Sequence, residues 1–400
     1  MSRGSQRAGA EASAPVEKQH VAASAPVRVC HIASGDCWAG AEAQVAALLS
    51  ALSARDDVRV SAILLNEGRL ADEARRCEIE VCVLPEAEYG FFRILSAAAR
   101  FLRRQNIQIL HSHRYKENFL ATLLARSCHV ATLVRTQHGA PEPFAGWHRA
   151  KQNAIGIVDR FVARYFTDSV ISVSDELRAG IGRYVPADRL VVIRNAIDTR
   201  TVRSALSVAE AKSRLGIPAG CPVVGAAGRL EPIKRIDLFL QAAREIAWKL
   251  PEAKFVIAGA GSEELRLRRL ADELELGDRA IFLGHRDDVY DVLRAMDLLV
   301  LTSDHEGLPT SLLEALFLQI TVVARPVGGI TEVIENGVTG FLAGSAEPAA
   351  LAQVCVSVLA DEKLRRQVAG EGARVVERQF SIGRAARQMA GLYRRLGERP

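Results

Sequence analysis

The sequence predicts an α/β protein built from two doubly wound domains that face a central cleft. Short β-branched apolar runs alternate with longer Ala/Leu/Arg-rich helical patterns from end to end, the signature of βαβ units on parallel sheets. That order runs through twice. In addition, 400 residues exceed what a single hydrophobic core usually serves.

In the first half the strand candidates are Val27–Ala33, Val58–Leu65, Glu80–Leu84, Ile107–His111, Ala131–Thr136, Ser169–Val173 and Leu190–Ile193, with helical stretches such as Ala41–Ala54, Phe91–Gln105 and Phe119–Cys128 between them. In the second half they are Val223–Gly228, Lys254–Ala258, Ala280–Leu283, Leu298–Leu301 and Thr321–Ala324, separated by helical patterns such as Arg235–Lys249 and Glu263–Leu274. Between the halves, Asn195–Ile217 ends in Gly216-Ile-Pro218 and is soon followed by Gly220-Cys-Pro222, a plausible connection. The predicted domains are 27–205 and 206–380. Residues 381–400 form a helix expected to cross back onto the first domain. Residues 1–26, rich in Ala and Ser and without the apolar run of a signal peptide, read as a disordered tail.

Composition narrows the class further. Hydrophobic residues make up 49% and charged residues 25%, ordinary values for a soluble globular protein. The seven cysteines are odd in number and scattered, with no Cys-x-x-Cys pair, which reads as reduced thiols in a cytoplasmic enzyme. No run approaches 18 uninterrupted apolar residues, so no membrane-spanning helix is expected. The net charge of +5 is uneven: 12 Lys/Arg face 3 Asp/Glu between Phe91 and Arg164, leaving the remainder net acidic. A basic face there suits phosphorylated substrates, an anionic lipid surface or nucleic acid; a merely solvated surface explains it equally well.

Four features stand in the order strand, loop, helix, where an open parallel sheet binds its ligands. The first is Ser34-Gly35-Asp-Cys-Trp-Ala-Gly40-Ala-Glu42, whose glycines let backbone approach a ligand ahead of a helix N-terminus. The second is Gly228-Arg229-Leu-Glu-Pro-Ile-Lys234-Arg235, where Arg229 and Lys234 suit a diphosphate and a solvated basic turn is the plain alternative. The third, Gly259-Ala-Gly261, opens a helix but lacks the third glycine of a dinucleotide fingerprint.

The fourth is the most specific: Ser303-Asp-His-Glu306-Gly-Leu-Pro309-Thr310-Ser311-Leu312-Leu-Glu314 follows a strand, with Pro309 placed to open a helix. Free N–H groups at Thr310–Leu312 would face an anion. Glu314, one turn in, suits vicinal ribose hydroxyls, while Glu306 lies in the loop before the helix.

Together these pieces resemble the retaining glycosyltransferases of family 4 (glycosyl transferases group 1), which have the GT-B fold of two Rossmann-like domains. The resemblance rests on Glu306 and Glu314 with seven residues between them, and on Gly40-Ala-Glu42, Ser112-His113, Thr136-Gln-His138-Gly139, Val173-Ser-Asp-Glu176, Asn195-Ala-Ile-Asp198, Gly228-Arg229 with Lys234, Gly259-Ala-Gly261 and Val327-Gly-Gly329-Ile-Thr-Glu332. They span nearly all of residues 28–345 in the family's order.

The resemblance implies roles. Arg229 and Lys234 would bind the donor diphosphate, Glu314 the ribose, and Glu306 the transferred sugar near its anomeric carbon. His138 would sit across the cleft by the reacting centre, and the Gly35–Gly40 turn, with Gly40, against donor phosphate and acceptor. Gly261 belongs to the donor side, and the backbone around His285 and Arg286 would meet the nucleobase. The donor would be a nucleotide-diphosphate sugar and the acceptor a glycan or lipid-linked hydroxyl, with an anionic membrane face as a second partner and no nucleic acid. No metal or cofactor is required, because Arg229, Lys234 and helix N–H groups offset the phosphate charge.

Three positions depart from the pattern: Ala39 precedes Gly40 where Gly-Gly is common, Arg235 follows Lys234 in place of Gly, and Ala196 follows Asn195 in place of Gly. His111 and His113 also lie at strand ends, where hydrogen-bonded structural histidines are usual, so only His138 is assigned a role. A nucleotide-sugar 2-epimerase of the same fold and a non-catalytic carbohydrate binder are the competing readings.

Overall fold

β-branched and Leu-rich segments flanked by Gly, Asp and Asn become strands, and the Ala/Leu/Arg patterns become the helices between them. The structure, a computed structural model, describes residues 25–35, 38–139 and 147–398, with side chains omitted for 147–152. The expected tail falls almost wholly outside these residues, as do Asp36 and Cys37 of the first glycine loop.

The first domain runs β1 (Val27–Ala33), α1 (Gly40–Ser53), β2 (Val58–Leu64), α2 (Arg69–Arg76), β3 (Glu80–Val83), α3 (Phe91–Gln105), β4 (Ile109–Ser112), α4 (Tyr115–Cys128), β5 (Thr132–Gln137), α5 (Trp147–Tyr165), β6 (Ser169–Ser172), α6 (Asp175–Ile181) and β7 (Leu190–Val192). The second runs α7 (Val208–Arg214), β8 (Val223–Ala227), α8 (Ile236–Lys249), β9 (Lys254–Ala258), α9 (Glu264–Glu273), β10 (Ala280–Gly284), α10 (Val289–Arg294), β11 (Leu298–Leu301), α11 (Thr310–Phe317), β12 (Thr321–Ala324), β13 (Phe341–Leu342), α12 (Pro348–Ala360) and α13 (Glu362–Gln379). A final helix, α14 (Ile382–Gly397), follows.

Both sheets are parallel, ordered β3-β2-β1-β4-β5-β6-β7 and β10-β9-β8-β11-β12-β13. In each, the first strand lies between the second and the fourth, so the winding direction reverses beside β1/β4 and beside β8/β11. Crevices at the carboxyl ends of these pairs are where such sheets hold ligands. The four sequence features emerge at the carboxyl ends of β1, β8, β9 and β11, and His138 at that of β5.

Apolar side chains cover both faces of each sheet, as parallel strands require. One layer of the first domain's core is completed by α14, whose Ile382, Ala386, Met389, Leu392, Tyr393 and Leu396 pack on residues of β1, β2 and α1. The chain leaves the first domain and returns at one place: Ile197 N–H donates to Phe380 O and Ile382 N–H to Ile197 O (2.9 and 2.8 Å). Across the boundary, Asn195 Nδ2 donates to Leu308 O (2.8 Å) and Arg194 Nε to Glu332 Oε2 (2.7 Å).

Candidate active site

After β8 the backbone turns at Gly228, whose φ of +145 suits glycine alone. The turn is backed by two further glycines: a Cβ on Gly259 would lie 1.8 Å from Gly228 O, and one on Gly261 2.4 Å from Leu230 O. Gly261 thus supports the segment that carries Arg229 by letting backbone pack on backbone. Lys234 ends the same loop. Its Nζ donates to Glu306 Oε1 at 2.6 Å, an oxygen that also accepts from Ser303 Oγ at 2.6 Å. Thr302 Oγ1 donates to Lys234 O, tying the two loops together.

Arg235, standing where the family pattern more often has glycine, adopts φ +50, a left-handed conformation that costs a side-chain-bearing residue about 1 kcal/mol. Its guanidinium is held by Asp237 and Asp304. Ala39 carries no such penalty, because its φ of −133 is extended.

The Glu306 loop needs glycine for proximity. A Cβ on Gly307 would sit 2.1 Å from His138 O of the first domain, and one on Gly328, at φ +56, 1.9 Å from Glu306 O. α11 begins at Thr310 with Pro309 as its cap, one residue later than an opening proline would place it. The amides of Thr310, Ser311 and Leu312 therefore start the helix, and Glu314 lies one turn in. Burial pushes the Glu314 carboxyl up to about 7, and Tyr290 OH donates to its Oε1 at 3.4 Å.

The first domain supplies a second helix start. Gly40 opens α1, and a Cβ there would lie 3.3 Å from Thr310 Oγ1, so two helix N-termini meet across the domain boundary. The positive ends of both dipoles then converge on one spot. Glu42 accepts from Ala39 N–H and pairs with Arg114. Ser34 donates through N–H and Oγ–H to Glu117 Oε1, and burial raises the Glu117 carboxyl. Sequence reading placed Ser34 in the first glycine loop but missed its partner Glu117, whose only local sign is an acid three residues into a helix.

His138 follows β5. Its Nε2 lies 3.2 Å from His113 Nδ1, while its buried Nδ1 has no hydrogen-bond partner, and burial holds the ring's pKa down to about 4. After β10, an edge strand of the second sheet, Gly284 turns at φ +66 into His285 and Arg286. Arg286 is engaged by Asp288, and the neighbouring Asp287 receives Arg69 Nη1 of α2 at 2.8 Å across the cleft. Arg69 in turn lies over the Trp38 ring, 4.4 Å from its centre.

The structure therefore brings Gly40, Thr310, Ser311, Leu312, Glu306, Lys234 and His138 to one boundary between the domains. Arg229 sits on the same loop as Lys234. Among the described residues, only His31, His111 and His113 form a cluster with metal-ligand spacing.

Comparison with known proteins fits this arrangement. The model described as Glycosyltransferase Family 4 matches residues 38–201, and that described as Glycosyl transferases group 1 matches residues 207–375. The D-inositol 3-phosphate glycosyltransferase of Kineococcus radiotolerans is 30% identical over 334 residues, covering 76% of this chain and 74% of its own. This chain belongs to glycosyltransferase family 4. Another relative, the N-acetyl-alpha-D-glucosaminyl L-malate synthase of Bacillus anthracis, is 28% identical over 75% of this chain and 78% of its own. The GT-B fold of this glycosyltransferase is shared with Anabaena Alr3699/HepE, solved in complex with UDP and glucose, at a TM-score of 0.82 and 21% identity over 92% of this chain and 100% of that one.

Proposed function

We propose that this family 4 enzyme moves a sugar from a nucleotide-diphosphate sugar to an acceptor hydroxyl with retention of anomeric configuration. The observation that carries the reading is the meeting of the α1 and α11 N-termini beside the Lys234–Glu306 pair. Two sets of unpaired amides, an ammonium and the Arg229 guanidinium offset the charge of a departing diphosphate, so no metal is needed for that task. Glu314 takes the ribose hydroxyls, and Glu306 contacts the sugar, with Lys234 bridging from its carboxylate to the phosphate. His138 lies opposite, beside Gly307. Retention follows from attack on the face the leaving group departs, with its phosphate oxygen taking the acceptor's proton. Gly261 acts by supporting the phosphate turn, and the backbone at His285 and Arg286 meets the base.

For the acceptor, we propose a glycan or lipid-linked hydroxyl presented at an anionic membrane face on the cytoplasmic side. Phe92 is 82% exposed, and Phe91, Tyr115 and Phe119 are exposed beside it on α3 and α4. Arg104 and Arg103 are already engaged, by Glu80 and by Ser127 O, and Arg93 lies over the Tyr89 ring, so Arg100 on the same helix is the residue we assign to lipid headgroups. Among the described residues no helix is long and apolar enough to cross a membrane.

The test is a panel of nucleotide sugars scored by melting temperature. A true donor at 100 times its Kd stabilises by about 2.7 kcal/mol. The chosen donor is then given acceptors, and the anomeric configuration of the first product is read by NMR. No stabilisation by any nucleotide sugar sinks the donor reading, an inverted product sinks retention, and donor isomerised without acceptor identifies the epimerase. Sedimentation with anionic vesicles, unchanged by high salt or by Phe92→Ser, would dismiss the membrane surface.

A further inference from the structure

The loops that carry Lys234 and Glu306 leave β8 and β11, the adjacent strands at which the second sheet reverses its winding. The Lys234–Glu306 pair makes one ionic rung between them. A second rung lies beside it. Arg235 Nη1 donates to Asp304 Oδ1 and Oδ2 at 3.2 and 3.3 Å, while its Nε donates to Asp237 Oδ1 at 3.1 Å. Backbone joins the same segments, because Asp304 N–H donates to Ile233 O (2.9 Å) and Thr302 Oγ1 to Lys234 O (2.8 Å).

Arg325, just past β12, grips the β11 loop from the other side. Its amide donates to Leu301 O (3.0 Å), and its Nη1 donates to Thr302 O and Ser303 O (both 3.1 Å) and to Asp304 Oδ1. Three consecutive carbonyls on the way to Glu306 thus face one arginine. A guanidinium donates only and keeps its charge, so the direction of each side-chain bond is fixed. Burial opposes ionisation of Asp304, but the bonds from Arg325 and Arg235 outweigh it and hold the carboxyl below its ordinary value.

An isolated ion pair as exposed as Arg235–Asp304 would contribute little. Here the carboxylate is shared by two guanidiniums, one from the β8 loop and one, largely buried, from the end of β12. The backbone strain at Arg235 belongs to the same arrangement. A φ of +50 disfavours any residue with a Cβ, and glycine would adopt it freely. The side chain present in place of glycine is the one that reaches Asp304.

We infer that Asp304, with Arg235 and Arg325, holds the Lys234 and Glu306 loops in register, so that Lys234 can turn from Glu306 to the donor phosphate without the loops separating. The inference rests on the proposed reading for the phosphate, and on geometry alone for the register. An ammonium is a rotatable point charge that exchanges partners readily, whereas a guanidinium is a planar fork that keeps them. When an anion draws the ammonium away, the Lys234–Glu306 rung weakens and the Arg235–Asp304 rung still joins the loops. All three are positioning residues that act through Glu306.

Amide hydrogen exchange on the full chain at pH 7.5 reads the register. In Asp304→Ala, protection at positions 303–305 is expected to fall at least about tenfold while β11 stays protected. Unchanged protection there overturns the inference, as does its loss in the wild-type protein when a nucleotide sugar binds. Activity is read with the nucleotide sugar that stabilises the protein in the panel above. In Asp304→Ala, kcat is expected to fall about tenfold with donor KM within about threefold. The same change made in Glu306→Gln is expected to cost less than about twofold, because the group being positioned is already gone. Equal losses in the two backgrounds, or a higher KM with kcat unchanged, overturn the inference. If Asp304→Ala does not fold, Arg235→Gly removes the same rung from the other loop and is read by the same criteria. Should no nucleotide sugar be turned over while the loop amides lose protection, the phosphate reading fails and the register stands.

Discussion

Glu314 is the residue whose protonation matters most near neutral pH. Burial pushes its carboxyl up to about 7, so mild acidification protonates it. In the proposed ribose contact the hydroxyls donate best to the ionised form, so donor binding is expected to weaken as pH falls below about 7, by up to about tenfold per unit. Donor Kd measured at pH 8, 7 and 6 checks this, and Glu314→Gln should bind weakly with no such slope. At Glu306, Lys234 Nζ and Ser303 Oγ both donate to Oε1. In Glu306→Gln the shape is kept and the charge lost, so kcat is expected to fall about 100-fold or more while donor binding stays within a few-fold. Full activity in that variant would remove Glu306 from the site. Both glutamates are legible in sequence from their spacing and the helix start between them. The buried contacts of Tyr393 with His31 and His111 are not, since the three lie far apart in sequence and only the strand register and α14 bring them together.

Among the elements, the loop joining β11 to α11 is limited by space. Gly307 has room for no Cβ, because His138 O would be 2.1 Å away and Val173 Cγ2 3.1 Å. Gly307→Ala is expected to force the two domains apart at this contact, lowering kcat at least tenfold while donor still binds the second domain. Crystal or small-angle scattering data showing the wild-type domain spacing in that variant would contradict this. The strands β1, β9, β11 and β12 have the bounds expected from apolar runs between turn residues. β4 and β5 each begin later than expected and extend past the apolar run to Ser112 and Gln137. There the ladder to the neighbouring strands overrides residue preference and carries His113 and His138 just past the carboxyl ends of these two interior strands. β13, two residues long, has no sequence signal of its own, and its pairing to β12 defines it.

For the whole molecule, the buried histidines set the response to acid. Their folded pKa values lie below the unfolded value near 6.5, so the stability they contribute is complete above about 6.5 and is lost as pH falls toward 4 and 3. Each contributes up to about 1.4 kcal/mol per pH unit across that window. Glu314 and Glu117, with raised carboxyls, act in the opposite sense, favouring the fold at low pH and losing that contribution as pH rises through their folded values. Four groups against two predicts that urea-unfolding stability drops between pH 6.5 and 5; a flat or rising profile would refute the buried neutral assignment. The crossing of α14 has a further consequence for how the protein is made. Because its side chains complete the layer over β1 and α1, the first domain to leave the ribosome stays unfinished while the whole second domain is synthesised. Tyr393 arrives after everything it touches, so the buried face of His31 and His111 stays open until α14 docks.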